Sequence, residues 1–588
     1  MSALIHTLAR IHAPKPEGEE GSSYIDPWEL HFPELIRNLV GDEESGLALF
    51  EKTEMPPIYH ALKVQAAQRE ACAQRFAGYL GEFAGDFGEL GVTPMEVNKA
   101  GSNFSGVKIE GAKFAAVLDD NRERVLEVMP ESRLNALIAT LKLKNMVILS
   151  GIHSDHIVLF MGASADDLVL VDQVEQSLAA SSALDFADPH LDKPLVAILY
   201  ANPQTFGTLA GNLKGSLKSL AAGLRDGLAT SDLWGDTRNL ESMLRMVEER
   251  ETVMESLMLA EGGVAVAFID QGLRVEACGG LDPGWFDWQE PSRLASLDRV
   301  GETVVFADFH IRPEGVAASR ACLEALMESW HAMSLKLAEF PPPEDDELAQ
   351  YKDDFRWVDQ KLRGDLTKLW SGFNIAVDGG LGCEHALVLD LKGTLPDIKD
   401  LPPEQAAKIR VPRVAWVAPL RDRAKLASAW REMSPGVSGL AATLGESLEL
   451  PVKLNQPMSK AGEGLMSWFH PLPCFNDGFL PSITLSDGWF AASTSDQQAR
   501  DLLARAALGG GDGEGLRLRV DCKALEQYGR QTLELLEKPE DVAFNLLGSI
   551  DPELLKPYVE SLGGLDQLTL HVRRESGVLR SSLHLSFR

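Results

Sequence analysis

The sequence contains no GxSxG, HExxH, GxxxxGK[ST] or GxGxxG pattern. The usual signatures of an α/β-hydrolase serine, a zinc protease, a P-loop and a dinucleotide fold are therefore missing. Cysteine is scarce and scattered: Cys72, Cys278, Cys322, Cys383, Cys474 and Cys522, with no CxxC pair. That spacing excludes a disulfide framework and a structural zinc site, and predicts buried free thiols. No apolar run approaches the roughly 18 residues of a membrane-spanning helix. Cationic residues are outnumbered, 56 Lys and Arg against 87 Asp and Glu, for a net charge of −31 and a pI near 4.8. Such a surface repels nucleic-acid phosphates and anionic lipid heads.

What is present is a globular composition. The chain has 588 residues, 45% of them hydrophobic. This is too long for one core and predicts about two to four domains. The first residues, MSALIHTLARIHAPK, lack a basic segment followed by a continuous apolar one. Leu4, Ile5, Leu8 and Ile11 predict a short amphipathic helix instead. As written the chain reads as unexported, and as periplasmic or envelope-bound if a signal has been trimmed.

Residues 14–23, PKPEGEEGSS, read as a linker. From 26 to 87 the periodicity is helical, with Leu62, Ala66, Ala73, Phe76, Leu80 and Phe83 on one face. VNKAGSNFSG reads as a loop. A first unit is then expected: a strand over 113–118, a helix from 122, a strand over 146–149, and a hairpin of 157–161 and 168–171 around GASADD. A helix capped by Asp172, a strand over 195–200, two helices between 205 and 259, and a hairpin of 264–269 and 273–278 complete it.

The clearest local signal lies near the end, in ITLSDGWFAASTSDQQARDLLARA. Ser486-Asp487-Gly488 suits a tight hairpin. Ser495 and Gln498 have the spacing of a capping box, and Ala499, Leu502, Leu503 and Ala506 form one helical stripe. Asp487 lies 29 residues before Leu516, as Asp166 lies 29 before Leu195. This equality, with 113–118 matched to 414–420, predicts a duplicated unit. The second copy continues with helices over 523–536 and 551–562 and a hairpin of 568–572 and 578–585. A shorter middle unit has a strand at 303–309, a helix over 317–335, the linker PPPEDDE at 341–347, a further helix to 369, and a hairpin of 373–377 and 381–391.

Hairpins outnumber strand–helix–strand links, so the expected class is α+β. Its sheets are antiparallel or mixed, with helices packed on one face, an internally duplicated unit and a helical N-terminal region. The expected divisions are 1–104, 105–280, 281–409 and 410–588. SDGWFAASTSDQQARDLL, VAFIDQGLRVEACGG and LTLHVRRESGVLRSSLHLSF resemble an uncharacterised class of bacterial proteins. That class carries duplicated α+β domains of unknown function, often behind an N-terminal signal or anchor. The resemblance implies a fold but no catalytic residue, since the class has none established.

Candidate chemistry is thin. His153, Asp155 and His156, in GIHSDH, are the best metal-like cluster, because imidazole and carboxylate bind zinc or a similar ion. They also read as ordinary turn residues, with no further ligand in sight. Cys383 and His385 share a strand face opposite Glu384 by alternation, which does not make a catalytic pair. ALGGGDGEG at 507–515 lacks the Lys-Ser/Thr or helix start of a phosphate loop and reads as a connector. Trp285, Phe286, Trp288 and Trp489 could line a groove, but such aromatics fill cores more often. No catalytic residue and no cofactor is assigned. The balance favours a non-enzymatic binding, scaffold or assembly protein with an unknown protein or small-molecule partner and no nucleic acid. The alternatives are a hydrolase or metal-dependent enzyme with a site between units, and a carrier of an apolar small ligand.

Overall fold

The computed structural model describes residues 57–126, 131–171, 173–203, 216–230, 236–299, 302–339, 346–395, 410–447, 458–462, 464–469, 478–510, 513–536 and 552–588. The expected helix at Leu4 to Ile11, the linker 14–23 and most of the Pro-rich linker at 341–347 lie outside these residues. The chain divides into two compact units, 1–169 and 170–588. Two of the expected divisions fall inside strands, at 104/105 in Ser102–Glu110 and at 280/281 in Leu273–Asp282.

The first unit is a five-stranded antiparallel sheet. Its order is Ile58–Lys63, His156–Gly162, Asn145–His153, Ser102–Glu110, Val92–Lys99. Helix Ala66–Asp86 lays Leu80, Phe83 and Ala84 against Val92, Val107 and Ile148. Three expectations are corrected here. Residues 58–63 form a strand, not helix, and 26–56 lie outside the described residues. VNKAGSNFSG is a hairpin: Ala100 and Gly101, at φ 46° and 71°, supply the two left-handed residues that a tight primed turn needs. Residues 113–118 lie in helix Gly111–Asp120, whose Ala115 and Leu118 pack on Leu134 and Leu137 of helix Glu131–Leu141. Their i, i+3 spacing serves a helix as well as an apolar run serves a strand, and tertiary packing decided.

The expected hairpin around GASADD is also absent. The Ser164 hydroxyl accepts from the Asp166 amide at 3.1 Å, and the Asp167 carboxylate accepts from the Ser164 amide at 2.9 Å. This reciprocal cap starts a 3₁₀ turn at Ala165–Asp167, and His156–Gly162 pairs with Ile58–Lys63 instead of with 168–171. Beyond it come short 3₁₀ turns up to Asp188–His190, not the expected helix; Asp172 itself lies outside the described residues.

The second unit is built on a 14-stranded antiparallel sheet. Its order is Met458–Gly462, Leu465–Phe469, Ser482–Leu485, Trp489–Ser493, Arg410–Pro419, Glu384–Thr394, Val305–Ile311, Leu516–Asp521, Leu565–Glu575, Val578–Phe587, Leu273–Asp282, Leu259–Ile269, Leu195–Ala201. Phe286–Asp287 pairs beside Val305–Ile311. One order of elements recurs three times: a strand, two or more helices, then two strands that continue the meander. The three runs start at Leu195, Val305 and Leu516. The recurrence therefore does not join 113–118 to 414–420, which are helix and strand in different units. Nor does it join 158–178 to 483–506. Residues 373–377 are a further correction: helix Arg363–Ile375 runs into a π turn at Ala376–Gly380, and the strand starts at Glu384.

The hairpin and helix read from 483–506 are present. The Ser486 hydroxyl accepts from the Trp489 amide at 3.1 Å, and that of Ser495 accepts from the Gln498 amide at 3.3 Å. The Gln498 side chain does not return to the Ser495 amide; Ser493 takes that place, its hydroxyl accepting at 3.0 Å. Helix Asp496–Leu508 buries Ala499, Leu502, Leu503 and Ala506 against Phe306, Val388, Ala415, Val417 and Ala491 on one sheet face. The opposite face carries helix Arg423–Ser447, whose Leu426 and Ala429 meet Ala418, Leu485, Phe490 and Trp416. Helix Arg363–Ile375 approaches that helix closely. A Cβ on Gly372 would stand 2.2 Å from Met433 Cγ, so the contact requires the bare glycine.

Candidate functional site

Alternation puts every second side chain of a strand on the same face, and antiparallel register carries that face from strand to strand. Starting from Ala197, the register runs Ala267, Val275, Leu583, Leu570, Leu518, Ala307, Leu387, Trp416, Ala492, Ile483, Trp468. Twelve strands thus contribute one residue each, and all twelve are apolar. A parallel row, Ile269, Leu273, Leu585, Leu568, Val520, Val305, Leu389 and Val414, is apolar as well. At about 4.8 Å per strand, the longer row extends about 50 Å.

No residue of either row is buried. Leu387 is 42% exposed and Val414 44%. On the opposite face of the same strands, Phe306, Val388, Ala415 and Val417 are 2% exposed or less. Helices Ser216–Thr230, Arg238–Leu257 and Pro313–Glu339 form a core of their own: Ala221, Leu228, Leu240, Leu244, Val247 and Ala325 cluster with no sheet residue among them. Helix Pro313–Glu339 leaves Leu323, Met327 and Trp330 exposed, at spacings of four and three. Helix Arg423–Ser447 covers the end of the row formed by Trp416, Ala492, Ile483 and Trp468; an apolar sheet face left only half-buried over the rest of its length marks a binding surface.

One end of the track is aromatic. Trp416, Trp430, Trp468, Phe469, Ile483 and Ala492 line a groove of about 380 Å³. Trp416 donates from its indole N–H to His385 Nδ1 at 3.0 Å and sets its ring across Phe490. The acceptor role places the neutral imidazole's proton on Nε2. Burial, and next the nearby His310, push the His385 pKa down to about 4.

The other face holds neutralised charge. Asp308 is fully buried and meets Ser292 Oγ at 2.7 Å and the Arg517 guanidinium. Glu384, also buried, accepts from the amides of Arg293 and Leu294 at 2.5 and 2.8 Å and from Arg293 Nε at 3.1 Å. This carboxylate holds the turn Leu294–Leu297 onto the sheet.

The residues singled out from sequence are only partly brought together. His153 and His156 face each other across a two-residue turn, with Ser154 at φ 56°. His153 Nδ1 lies 3.1 Å from Ser102 Oγ, and His156 Nδ1 lies 2.7 Å from Asp155, whose other oxygen meets Lys63 at 3.3 Å. Among the described residues no group of three or more His, Cys, Asp or Glu side chains is placed to hold a metal ion. Glu384 does lie on the face opposite His385, and burial raises the Cys383 thiol pKa. In the 507–515 loop, Gly513–Glu514 forms a two-residue strand with Pro291–Ser292. Of the four aromatics, Trp489 packs on the core under helix Asp496–Leu508, and Phe286 and Trp288 meet with their rings tilted, centroids 5.1 Å apart. The track itself escaped sequence reading, because its twelve residues come from strands up to about four hundred positions apart and only register joins them.

No family model, no curated protein and no solved structure matches the chain. Among the described residues no helix is long and apolar enough to cross a membrane.

Proposed function

We propose that the chain is a binding protein for elongated apolar molecules, such as the acyl chains of lipids, received along the apolar face of the second unit. The observation that supports it is the twelve-residue row, apolar throughout, with Ala197 and Leu387 exposed and the other ten residues half-buried. An amphipathic sheet normally closes its apolar face with its own helices. Here helix Arg423–Ser447 closes only the Trp416 to Trp468 end, and the core shared by helices Ser216–Thr230, Arg238–Leu257 and Pro313–Glu339 contains no sheet residue. Burying such a face contributes about 25 cal/mol per Å², so a chain-like apolar ligand gains affinity from contact area alone. A non-enzymatic role fits a surface whose recognition groups are hydrocarbon and indole.

The test is titration with cis-parinaric acid, a fluorescent polyunsaturated fatty acid, together with native mass spectrometry of the protein from its own cells. Saturable binding is expected, with at least about tenfold weaker affinity in Leu570→Asp and in Ala307→Trp. Ser582→Asp, on the opposite face, is expected to bind as wild type. Circular dichroism verifies that each variant is folded. No saturable binding by the wild type, or equal binding by folded track variants, would sink the proposal.

A further inference from the structure

A second site lies on the sheet face opposite the track. Strands Glu384–Thr394 and Arg410–Pro419 shift register between Asp390 and Gly393. Such bulges bend a strand and open space beside it. Here a cavity of about 320 Å³ lies between the bulge and helix Asp496–Leu508. Its volume is at the small end for ligand sites, which suits a metabolite of few atoms.

The floor is the buried pair Asp390 and Arg413. Arg413 Nε and a terminal guanidinium nitrogen donate to the two Asp390 oxygens at 2.8 and 2.9 Å, and the Gln498 amide nitrogen adds a bond at 3.0 Å. These two charges cancel each other and leave the floor neutral. The wall differs. Lys392 Nζ and an Arg505 guanidinium nitrogen both donate to one oxygen, Glu302 Oε2, each at 3.2 Å. An ammonium has three donors and a guanidinium five, so one shared acceptor leaves both cations with capacity to spare. Lys392, and then Arg505, hold the Glu302 carboxyl below the usual carboxylate range, so it stays charged. The helix adds Gln497 and Asp501, both exposed at the cavity. The wall therefore carries two cations, Lys392 and Arg505, and two anions, Glu302 and Asp501.

We propose that this cavity binds a small zwitterion, a free α-amino acid with one carboxylate and one ammonium. The carboxylate takes the spare donors of Lys392 and Arg505, as charge-assisted hydrogen bonds favour. The ammonium goes to the Asp501 carboxylate and the Gln497 amide oxygen. A ligand carrying only one sign of charge meets its like on the wall, which costs affinity. A neutral polar ligand leaves the wall's charges without partners.

The probes are the common free L-amino acids, followed by isothermal titration with the best of them. Its N-acetyl derivative and its methyl ester each delete one charge. At least one amino acid is expected to bind saturably, and both derivatives to bind at least about tenfold more weakly. Asp501→Asn and Arg505→Gln lie on the helix surface and are each expected to reduce affinity by at least about tenfold. Gln497→Trp fills the cavity and is expected to abolish binding, with cis-parinaric acid binding unchanged in all three. The proposal is overturned if no amino acid binds at about 10 mM, if the ester or the N-acetyl form binds as well as the parent, or if folded variants bind as wild type.

Discussion

Asp390 and Arg413 face each other across neighbouring strands and meet in a two-pronged ion pair, both side chains close to nine-tenths buried. Asp390 also accepts from the Lys392 amide at 2.9 Å and from Gln498 at 3.0 Å. The pair ties the bulged end of one strand to the next and to the helix above it. A buried pair is costly to break from one side, because the surviving charge is left without compensation. Asp390→Ala is therefore expected to lower stability by about 3–5 kcal/mol. The double change Asp390→Leu with Arg413→Met is expected to cost far less than the single one. Urea unfolding of the three variants checks this, and a double variant as unstable as the single would refute it.

Glu384 anchors the turn before Val305–Ile311 through two backbone amides. Removing the carboxylate leaves both donors without an acceptor, at about 1–3 kcal/mol each for buried groups. Glu384→Ala is expected to cost about 2–6 kcal/mol in total. Glu384→Gln keeps an acceptor oxygen and is expected to cost roughly half as much. Limited proteolysis should cut the alanine variant within 286–299 faster than wild type. An unchanged cleavage rate there, with unchanged urea midpoint, would count against the anchor.

These contacts mark where sequence reading stops. The stretch 483–506 was legible because its turn, cap and apolar stripe are local: Ser486, Ser495 and Leu502 act within a few residues of one another. The α+β class was legible for the same reason, since hairpins at 264–278 and 568–585 are short-range events. Residues 113–118 were not, because KFAAVL is a short apolar run that suits a buried strand, while Phe114, Ala115 and Leu118 suit one face of a helix. Only their packing on Leu134 and Leu137 separates the two. The helix end at Ile375 was hidden similarly: an Asp-Gly-Gly run suits a hairpin turn but here closes a π turn. Neither site could be read, because Lys392 meets Glu302 and Leu518 meets Ala307 only through sheet order.

His385 makes the fold sensitive to acid. Its imidazole is buried, accepts from Trp416 and holds a pKa of about 4, against about 6.5 when unfolded. Between these values the unfolded chain binds a proton that the folded chain refuses. Stability therefore rises with pH through this window, is complete above about 6.5, and is lost as pH falls toward 4. The largest loss is about 3 kcal/mol. His385→Asn keeps an acceptor for the Trp416 indole but does not titrate, so its stability should change less between pH 4 and 6.5. Equal slopes for the variant and the wild type would show that His385 does not carry this dependence.

The indoles at the end of the track offer a direct reading of where an apolar chain lies. Trp416 and Trp468 belong to the row itself, and Trp430 closes the groove over them. Trp285 lies elsewhere, beside the paired residues Phe286–Asp287, and is 40% exposed. A heavy-atom quencher acts only at contact distance, so a fatty acid brominated along its chain darkens the indoles it touches. Dibromostearate is expected to quench part of the intrinsic fluorescence, and stearate is not. The quenched part should shrink in Trp468→Phe, shrink further in the double change Trp416→Phe with Trp468→Phe, and vanish only when Trp430→Phe is added. Trp285→Phe should leave the quenched part as it is, because that residue is not among those lining the groove. If the double variant is quenched as strongly as wild type while folded, the chain lies somewhere other than this end of the sheet.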